Sequence, residues 1–124
     1  MTDAYLDGMT LGFLDAVAWL PVTESGEDTE LSREDFDADA ISRMREDCEG
    51  FLAVARDMGA DPETAGIPAS QCGHDFYLTR ARHGTGFWDR GLGDTGRVLT
   101  EAAHTFSEDA VAMVALDGTV DYTG

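Results

Sequence analysis

The sequence predicts an α+β fold, in which a small antiparallel sheet of three or four strands, formed by two hairpins, packs against about three helices. Three observations support this fold class. Apolar residues recur at steps of three and four in three segments, which is the period of a helix with one buried face. Other segments are rich in aromatic and β-branched residues and are bounded by glycine, which is typical of hairpin strands. The 124 residues contain no recognisable linker, so we expect a single domain over 1–124.

The first helix is predicted from Tyr5 to Leu20. Its apolar face comprises Leu6, Met9, Phe13, Val17 and Leu20. Pro21 ends the helix, because the residue before a proline disfavours the helical conformation. An acidic loop is expected over 23–31, and Ser32 is expected to cap a short helical turn.

The second helix, over roughly 38–58, has the clearest pattern. Asp37 is a candidate N-cap, and Gly59 is a natural terminator. Cys48 lies on the apolar face, where we expect a small buried side chain rather than a reactive thiol. That face comprises Ile41, Met44, Cys48, Phe51, Leu52, Ala55 and Met58.

The remaining segments predict two hairpins and a third helix. Residues 73–80 are expected to form a strand, residues 81–84 a connection and residues 85–89 the antiparallel partner strand. The third helix is predicted over 94–106. A second hairpin joins 110–116 to 119–122 through the Asp117-Gly118 pair, which is a strong signal for a two-residue turn.

The charge balance excludes some functions. The chain has 25 acidic residues and 8 basic ones, a net charge of −17, and every base is an arginine. It lacks the cations that would displace the counterions of a nucleic acid, so we expect no direct nucleic-acid binding. An anionic membrane surface is excluded for the same reason. No apolar run is long enough to predict a membrane-spanning helix.

Three interpretations of the net charge remain open. The acidity is a solubility surface shaped by a GC-rich genome, or an adaptation to high salt, in which short carboxylates hold water and ions. Alternatively, the carboxylates imitate DNA phosphates and occupy the basic cleft of a nucleic-acid enzyme. Long-range attraction would then raise the rate of association with that partner.

Mimicry requires carboxylates on one solvent-exposed face. The outward face of the second predicted helix offers Asp39, Glu46, Asp47, Glu49 and Asp57. The loop before it adds Glu24, Glu27, Asp28 and Glu30. Helical turns are about 5.4 Å apart, whereas phosphates of one DNA strand are about 3.4 Å apart along the axis. This face therefore approximates a strip of phosphates without copying its spacing, and the expected partner is a protein with a basic cleft.

Polar and aromatic side chains are densest over residues 71–93. The candidate motif consists of His74, Asp75, Arg80, His83, Trp88, Asp89 and Arg90. Two histidines and two acids, His74, Asp75, His83 and Asp89, are suitable ligands for zinc or iron. A histidine paired with a carboxylate would instead act as a general base. The spacing matches no strong metal motif and no hydrolase motif.

The third interpretation of this segment is structural, and it is the one we favour. Arg80 and Arg90 are then expected to pair with Asp75 and Asp89. Core and cross-strand contacts are expected from Phe76, Leu78, Phe87 and Trp88. An adjacent histidine would lower the pKa of Cys72, but two cysteines in such a chain are more often reduced and structural. We therefore expect no catalytic residue, no metal and no cofactor.

Three stretches resemble a family of small proteins encoded by tailed phages, prophages and plasmids. They are Gly-His-Asp-Phe-Tyr-Leu-Thr-Arg over 73–80, His-Gly-Thr-Gly-Phe-Trp-Asp over 83–89 and Leu-Thr-Glu-Ala over 99–102. The chain departs from the family in its acidity and its lack of lysine, which the family does not require. The resemblance implies an accessory protein of a mobile element in the cytoplasm of a prokaryotic host. It implies no reaction, so no catalytic residues carry over.

These observations favour a non-enzymatic accessory protein that acts by binding another protein. Its sharper form is a DNA mimic that inhibits a host-defence or other nucleic-acid enzyme. One alternative is a small metal- or histidine-dependent enzyme that uses the predicted 73–89 hairpin. Another is a halophilic or virion-associated structural protein. The sequence leaves the partner and the oligomeric state open.

Overall fold

The computed structural model describes residues 3–26, 29, 31–82, 86–87 and 91–123. The fold is α+β, as predicted. Its helices are α1 (Asp3–Trp19), α2 (Ala38–Asp57), α3 (Ala69–Arg80) and α4 (Asp94–His104). Its strands are β1 (Val22–Thr23), β2 (Val111–Val114) and β3 (Val120–Thr123). None of the helices in this part of the chain combines the length and the hydrophobicity needed to cross a bilayer.

The sequence patterns predicted three of the four helices. Helices α1, α2 and α4 begin and end close to the expected residues. A 3₁₀ turn at Arg33–Asp35 follows Ser32, as expected. The Asp37 carboxylate accepts a hydrogen bond of 2.8 Å from the Ala40 N–H and caps α2. These elements were predictable because each has one buried face and a recognisable end.

The sheet has three strands in the order β1-β2-β3. Strands β2 and β3 are antiparallel, with Val111 opposite Thr123, so the predicted C-terminal hairpin is confirmed. Its turn contains Gly118, whose φ of +88° suits glycine. Strand β1 is parallel to β2, with Val22 beside Met113, so the sheet is mixed rather than wholly antiparallel. Two residues directly after Pro21 are too few for a periodic strand signal.

The prediction of a strand over 73–80 is wrong, because these residues lie in α3. The first hairpin, and the sheet of two hairpins, are therefore also wrong. Of its expected second strand, 85–89, only residues 86 and 87 belong to the described part. Helix α3 is buried almost all round, including its polar residues Asp75, Thr79 and Arg80. A helix without a solvent-facing stripe has no amphipathic period, so its aromatic residues imitate a strand.

Helices α1 and α3 pack backbone against backbone through two glycines. A Cβ atom added at Gly73 would lie 1.9 Å from the Met9 carbonyl oxygen. One added at Gly12 would lie 2.0 Å from the Ser70 carbonyl oxygen. Neither position admits a side chain without separating the helices, and this close approach sets where α3 sits.

An aromatic cluster surrounds α3. The Phe76 ring lies 4.4 Å from Phe51 and 5.3 Å from Phe13, measured between ring centroids. Phe87 stacks on the other side of Phe51 at 5.5 Å. Phe76, Leu78 and Phe87 are buried, as expected, but they pack on a helix rather than across strands. Trp88 lies outside the described residues.

The close approach of α1 and α3 at Gly73 predicts that a single added methyl group lowers stability. Gly73→Ala is expected to lower the free energy of unfolding by about 1–3 kcal/mol or more, because the helices must move apart. The matched control is Gly50→Ala in α2, where the added Cβ meets only the Phe106 ring, at 3.3 Å, and gains helix propensity. Urea unfolding of both variants measures the difference. Equal losses would contradict the backbone contact between α1 and α3.

Candidate functional site

Helix α3 carries all three described residues of the candidate motif, His74, Asp75 and Arg80. His74 is half-buried, whereas the next residue, Asp75, is completely buried. Consecutive residues of a helix point about 100° apart, so these two side chains do not face one site together. His83, Asp89, Trp88 and Arg90 lie outside the described residues. Among the residues that are described, no group of three or more histidine, cysteine or acidic side chains could hold a metal ion.

Arg80 is the centre of a buried polar network. Its side chain is 1% exposed. Its Nε donates to the Ser107 carbonyl oxygen at 2.8 Å, and its Nη1 donates to Asp47 Oδ2 at 2.9 Å. The Tyr122 hydroxyl donates to the same Asp47 oxygen at 2.6 Å. The guanidinium carbon also lies 5.4 Å from the ring centroids of Phe76 and Phe106, within cation–π range.

The expected pairing of Arg80 with Asp75 is therefore wrong. On a helix, five residues correspond to about 140° of rotation, so their side chains diverge. The carboxylate that pairs with Arg80 comes from α2 instead.

Asp47 is the one member of the expected acidic face that turns inward. Its side chain is 23% exposed and is engaged by Arg80 and Tyr122. It neighbours Glu46 in sequence but points about 100° away from it. The spacing of apolar residues locates the buried face of a helix. It does not show that an acid at the edge of this face, such as Asp47, pairs with a buried cation from another helix.

The outward stripe of α2 consists of Asp39, Ser42, Glu46, Glu49, Ala53 and Asp57, all exposed and separated by steps of three or four. We call it the α2 stripe. Asp39 lies 3.5 Å from Arg43 Nε. Within the described residues, no arginine pairs with Glu46, Glu49 or Asp57.

The arginines are engaged elsewhere. Each arginine in the described part of the chain pairs with at least one acid. Apart from Arg43, they all pair with acids outside the α2 stripe; these are Arg33, Arg45, Arg56, Arg80, Arg82 and Arg97. Glu24, from the loop expected to extend the acidic face, is exposed, and its carboxylate accepts a hydrogen bond from the Leu116 N–H. Glu27, Asp28 and Glu30 lie outside the described residues.

His74 lines a shallow hollow of about 310 Å³ between α1 and α3, together with Asp15. The Asp15 carboxylate accepts two hydrogen bonds from Arg33, each 2.9 Å, which hold the pKa of Asp15 below its ordinary range. Among the described residues, no hydrogen bond joins His74 to a carboxylate. Its imidazole instead lies 6.1 Å from the Trp19 ring, between centroids. The described residues therefore do not assemble the oriented histidine–carboxylate pair that a general base requires.

Neither cysteine is placed as a nucleophile. Cys48 is buried in the core, as expected, and burial raises the pKa of its thiol well above the ordinary value. Cys72 lies in α3, with its sulfur 4.0 Å from the Met9 sulfur. Burial raises the pKa of Cys72 to about 12. A thiol that stays protonated and shielded from solvent is inert.

The raised pKa of Cys72 predicts a pH dependence of stability. In the unfolded chain a cysteine thiol has a pKa of about 8.5, whereas burial raises the pKa of Cys72 in the folded protein to about 12. Stability from this group is therefore complete below about pH 8.5 and is lost as the pH rises further. At about pH 9.5 the loss amounts to about 1.4 kcal/mol.

The Cys72→Ala variant isolates this contribution. Its free energy of unfolding is expected to fall less steeply than that of the wild type between about pH 7 and about pH 9.5. Chemical unfolding at each pH, under reducing conditions, gives the two slopes. Identical slopes would show that the Cys72 thiol ionises as easily in the folded protein as in the unfolded chain.

Comparison of the chain with protein-family models, with curated proteins and with solved structures finds no match in any of the three. The resemblance to phage- and plasmid-encoded proteins therefore stays a prediction.

Proposed function

We propose that the protein acts by binding another protein that carries a basic cleft, and that the α2 stripe is its contact surface. In its sharper form, the protein is a DNA mimic that inhibits a host-defence or other nucleic-acid enzyme. One observation carries the proposal. Glu46, Glu49 and Asp57 are exposed on one side of one helix, and within the described residues no arginine pairs with them.

The length of the stripe suits a nucleic-acid cleft. Asp39 and Asp57 are 18 residues apart, which corresponds to about 27 Å along the helix axis. About eight phosphates of one DNA strand occupy the same length. The stripe has fewer charges than that, so it offers a basic cleft a sparse row of carboxylates.

The helix that holds these carboxylates is well anchored. Asp37 caps its first turn, and its inner face is buried in the core. Carboxylates on a rigid helix lose little backbone entropy when they bind, so more of the electrostatic attraction is retained as affinity. The net charge of −17 adds long-range attraction to a basic partner and raises the association rate.

The resemblance to proteins of mobile elements fits this proposal, since a mobile element benefits from an inhibitor of its host's defence enzymes. The solubility and high-salt interpretations of the net charge differ from mimicry in what they require of the α2 stripe. Both depend on the total charge and give the α2 stripe no special role. A comparison of neutralised faces therefore separates them from mimicry.

The test compares two triple variants of equal charge. Glu46→Gln, Glu49→Gln and Asp57→Asn neutralise the stripe. Glu34→Gln, Asp94→Asn and Glu101→Gln neutralise three exposed acids elsewhere. Each protein is titrated into restriction and CRISPR-type nucleases that carry a labelled DNA duplex, and the release of the duplex is measured.

The wild type is expected to displace the duplex from at least one nuclease. The stripe variant should need about tenfold more protein, and the control variant should resemble the wild type. Displacement should weaken steeply between about 0.05 M and about 0.2 M salt. Equal losses for both variants would show that only net charge matters, and no displacement by the wild type from any of these nucleases would reject mimicry of their DNA.

A further inference from the structure

An apolar ridge stands exposed where α1 ends and β1 begins. Trp19 closes the helix and is 71% exposed, and Val22 of β1 is 49% exposed. The ridge is held in place on both sides, since the Trp19 ring lies 6.1 Å from the His74 ring and Val22 pairs with Met113 of β2. An exposed tryptophan on a rigid support is typical of the residues that dominate protein–protein interfaces.

A groove of about 410 Å³ begins at Leu20, Pro21 and Val22, directly after Trp19 in the chain. Its apolar lining includes Leu20, Val22, Tyr77 and Val111. The Tyr77 side chain is buried, and its hydroxyl donates to the Ala110 carbonyl oxygen at 3.0 Å. Tyr77 is only 2% exposed, so it closes the floor of the groove, and the accessible apolar walls are Leu20, Val22 and Val111.

Two acids line the same groove. Glu108 lies 3.2 Å from Arg82, and both side chains are more than half exposed. The backbone N–H of Asp109 donates to Ser107 Oγ. Within the described residues, neither an ion pair nor a hydrogen bond reaches the Asp109 carboxylate.

Apolar walls and unpaired acid together select one kind of side chain. Arginine has an aliphatic stem that packs on apolar surface and a terminal cation that pairs with carboxylates. A purely apolar side chain would leave the Asp109 carboxylate unpaired, and an acidic one would be repelled. Arginine is favoured over lysine because its planar guanidinium can bind both oxygens of one carboxylate at once.

We propose that this groove is a docking site for an arginine side chain of a partner protein. The stem lies between Val22, Tyr77 and Val111, and the guanidinium reaches Asp109. Trp19 lies three residues before Val22 and is exposed, so it can contact the partner's surface outside the groove. This inference goes beyond the proposed function and does not depend on it, because no residue that lines the groove belongs to α2.

The probe for this site is n-butylguanidinium, which reproduces the stem and the cation of arginine. In a ¹H–¹⁵N NMR titration, saturable shifts are expected at the amides of Val22, Tyr77, Ala110 and Val111. Guanidinium supplies the cation alone, and n-butanol supplies the stem alone. Each should bind at least about tenfold more weakly than the complete probe, because each loses one half of the contact.

Two variants complete the test. Asp109→Asn is expected to weaken n-butylguanidinium binding at least about threefold, whereas Asp94→Asn, an exposed acid on α4, should leave it unchanged. The amide spectra also show that each variant is folded. The triple variant of the α2 stripe should keep the wild-type affinity for the probe, so failure of the proposed function and failure of this inference are distinguishable.

Two results would overturn the proposal. Shifts near carboxylates all over the surface, with equal responses to guanidinium and n-butylguanidinium, would mean that the probe only follows the net charge. Equal binding of n-butanol and n-butylguanidinium, unaffected by Asp109→Asn, would mean that the groove recognises apolar groups without a cation.

Discussion

The ion pair between Arg80 and Asp47 is the interaction on which the rest of the structure depends. A guanidinium that is 1% exposed has left water almost completely, so its charge must be balanced inside the protein. Its partners come from three places in the chain: α2 supplies Asp47, β3 supplies Tyr122, and the segment before β2 supplies the Ser107 carbonyl. The hydrogen bonds and the ion pair of this one guanidinium therefore fix α2, β3 and the segment before β2 relative to α3.

This dependence gives the dense 73–80 segment a physical meaning that requires no reaction. Gly73 lets α3 touch the backbone of α1. Phe76 lies at the centre of the aromatic cluster, and the Thr79 hydroxyl accepts a hydrogen bond from the Phe87 N–H at 3.3 Å. Arg80 carries the buried charge. The segment holds the fold together, and the acids that we propose as partner-binding groups, the α2 stripe and Asp109, lie outside it.

The sequence was informative where a residue's role is set by its neighbours in the chain. Helices α1, α2 and α4, the C-terminal turn and the exposed acids of α2 all follow from periodicity and terminators. Helix α3 was mistaken for a strand because burial on every side removes the helical period. The inward direction of Asp47 was missed because its partner lies 33 residues away. The groove was missed because its lining combines residues of β1, α3 and β2. These features arise from tertiary packing, and no local pattern encodes them.

The most direct measurement of this account is the free energy of unfolding of Asp47→Ala compared with that of Glu46→Ala. Both variants remove one carboxylate from neighbouring positions of α2, so they change the net charge alike. Both gain helix propensity, and Asp47→Ala gains slightly more, which works against the loss that we predict for it. We predict that Asp47→Ala loses about 3–5 kcal/mol, because Arg80 is left buried without a counter-charge, whereas Glu46→Ala changes stability by less than about 0.5 kcal/mol. Equal, small effects would contradict the claim that the fold is organised around the buried charge of Arg80.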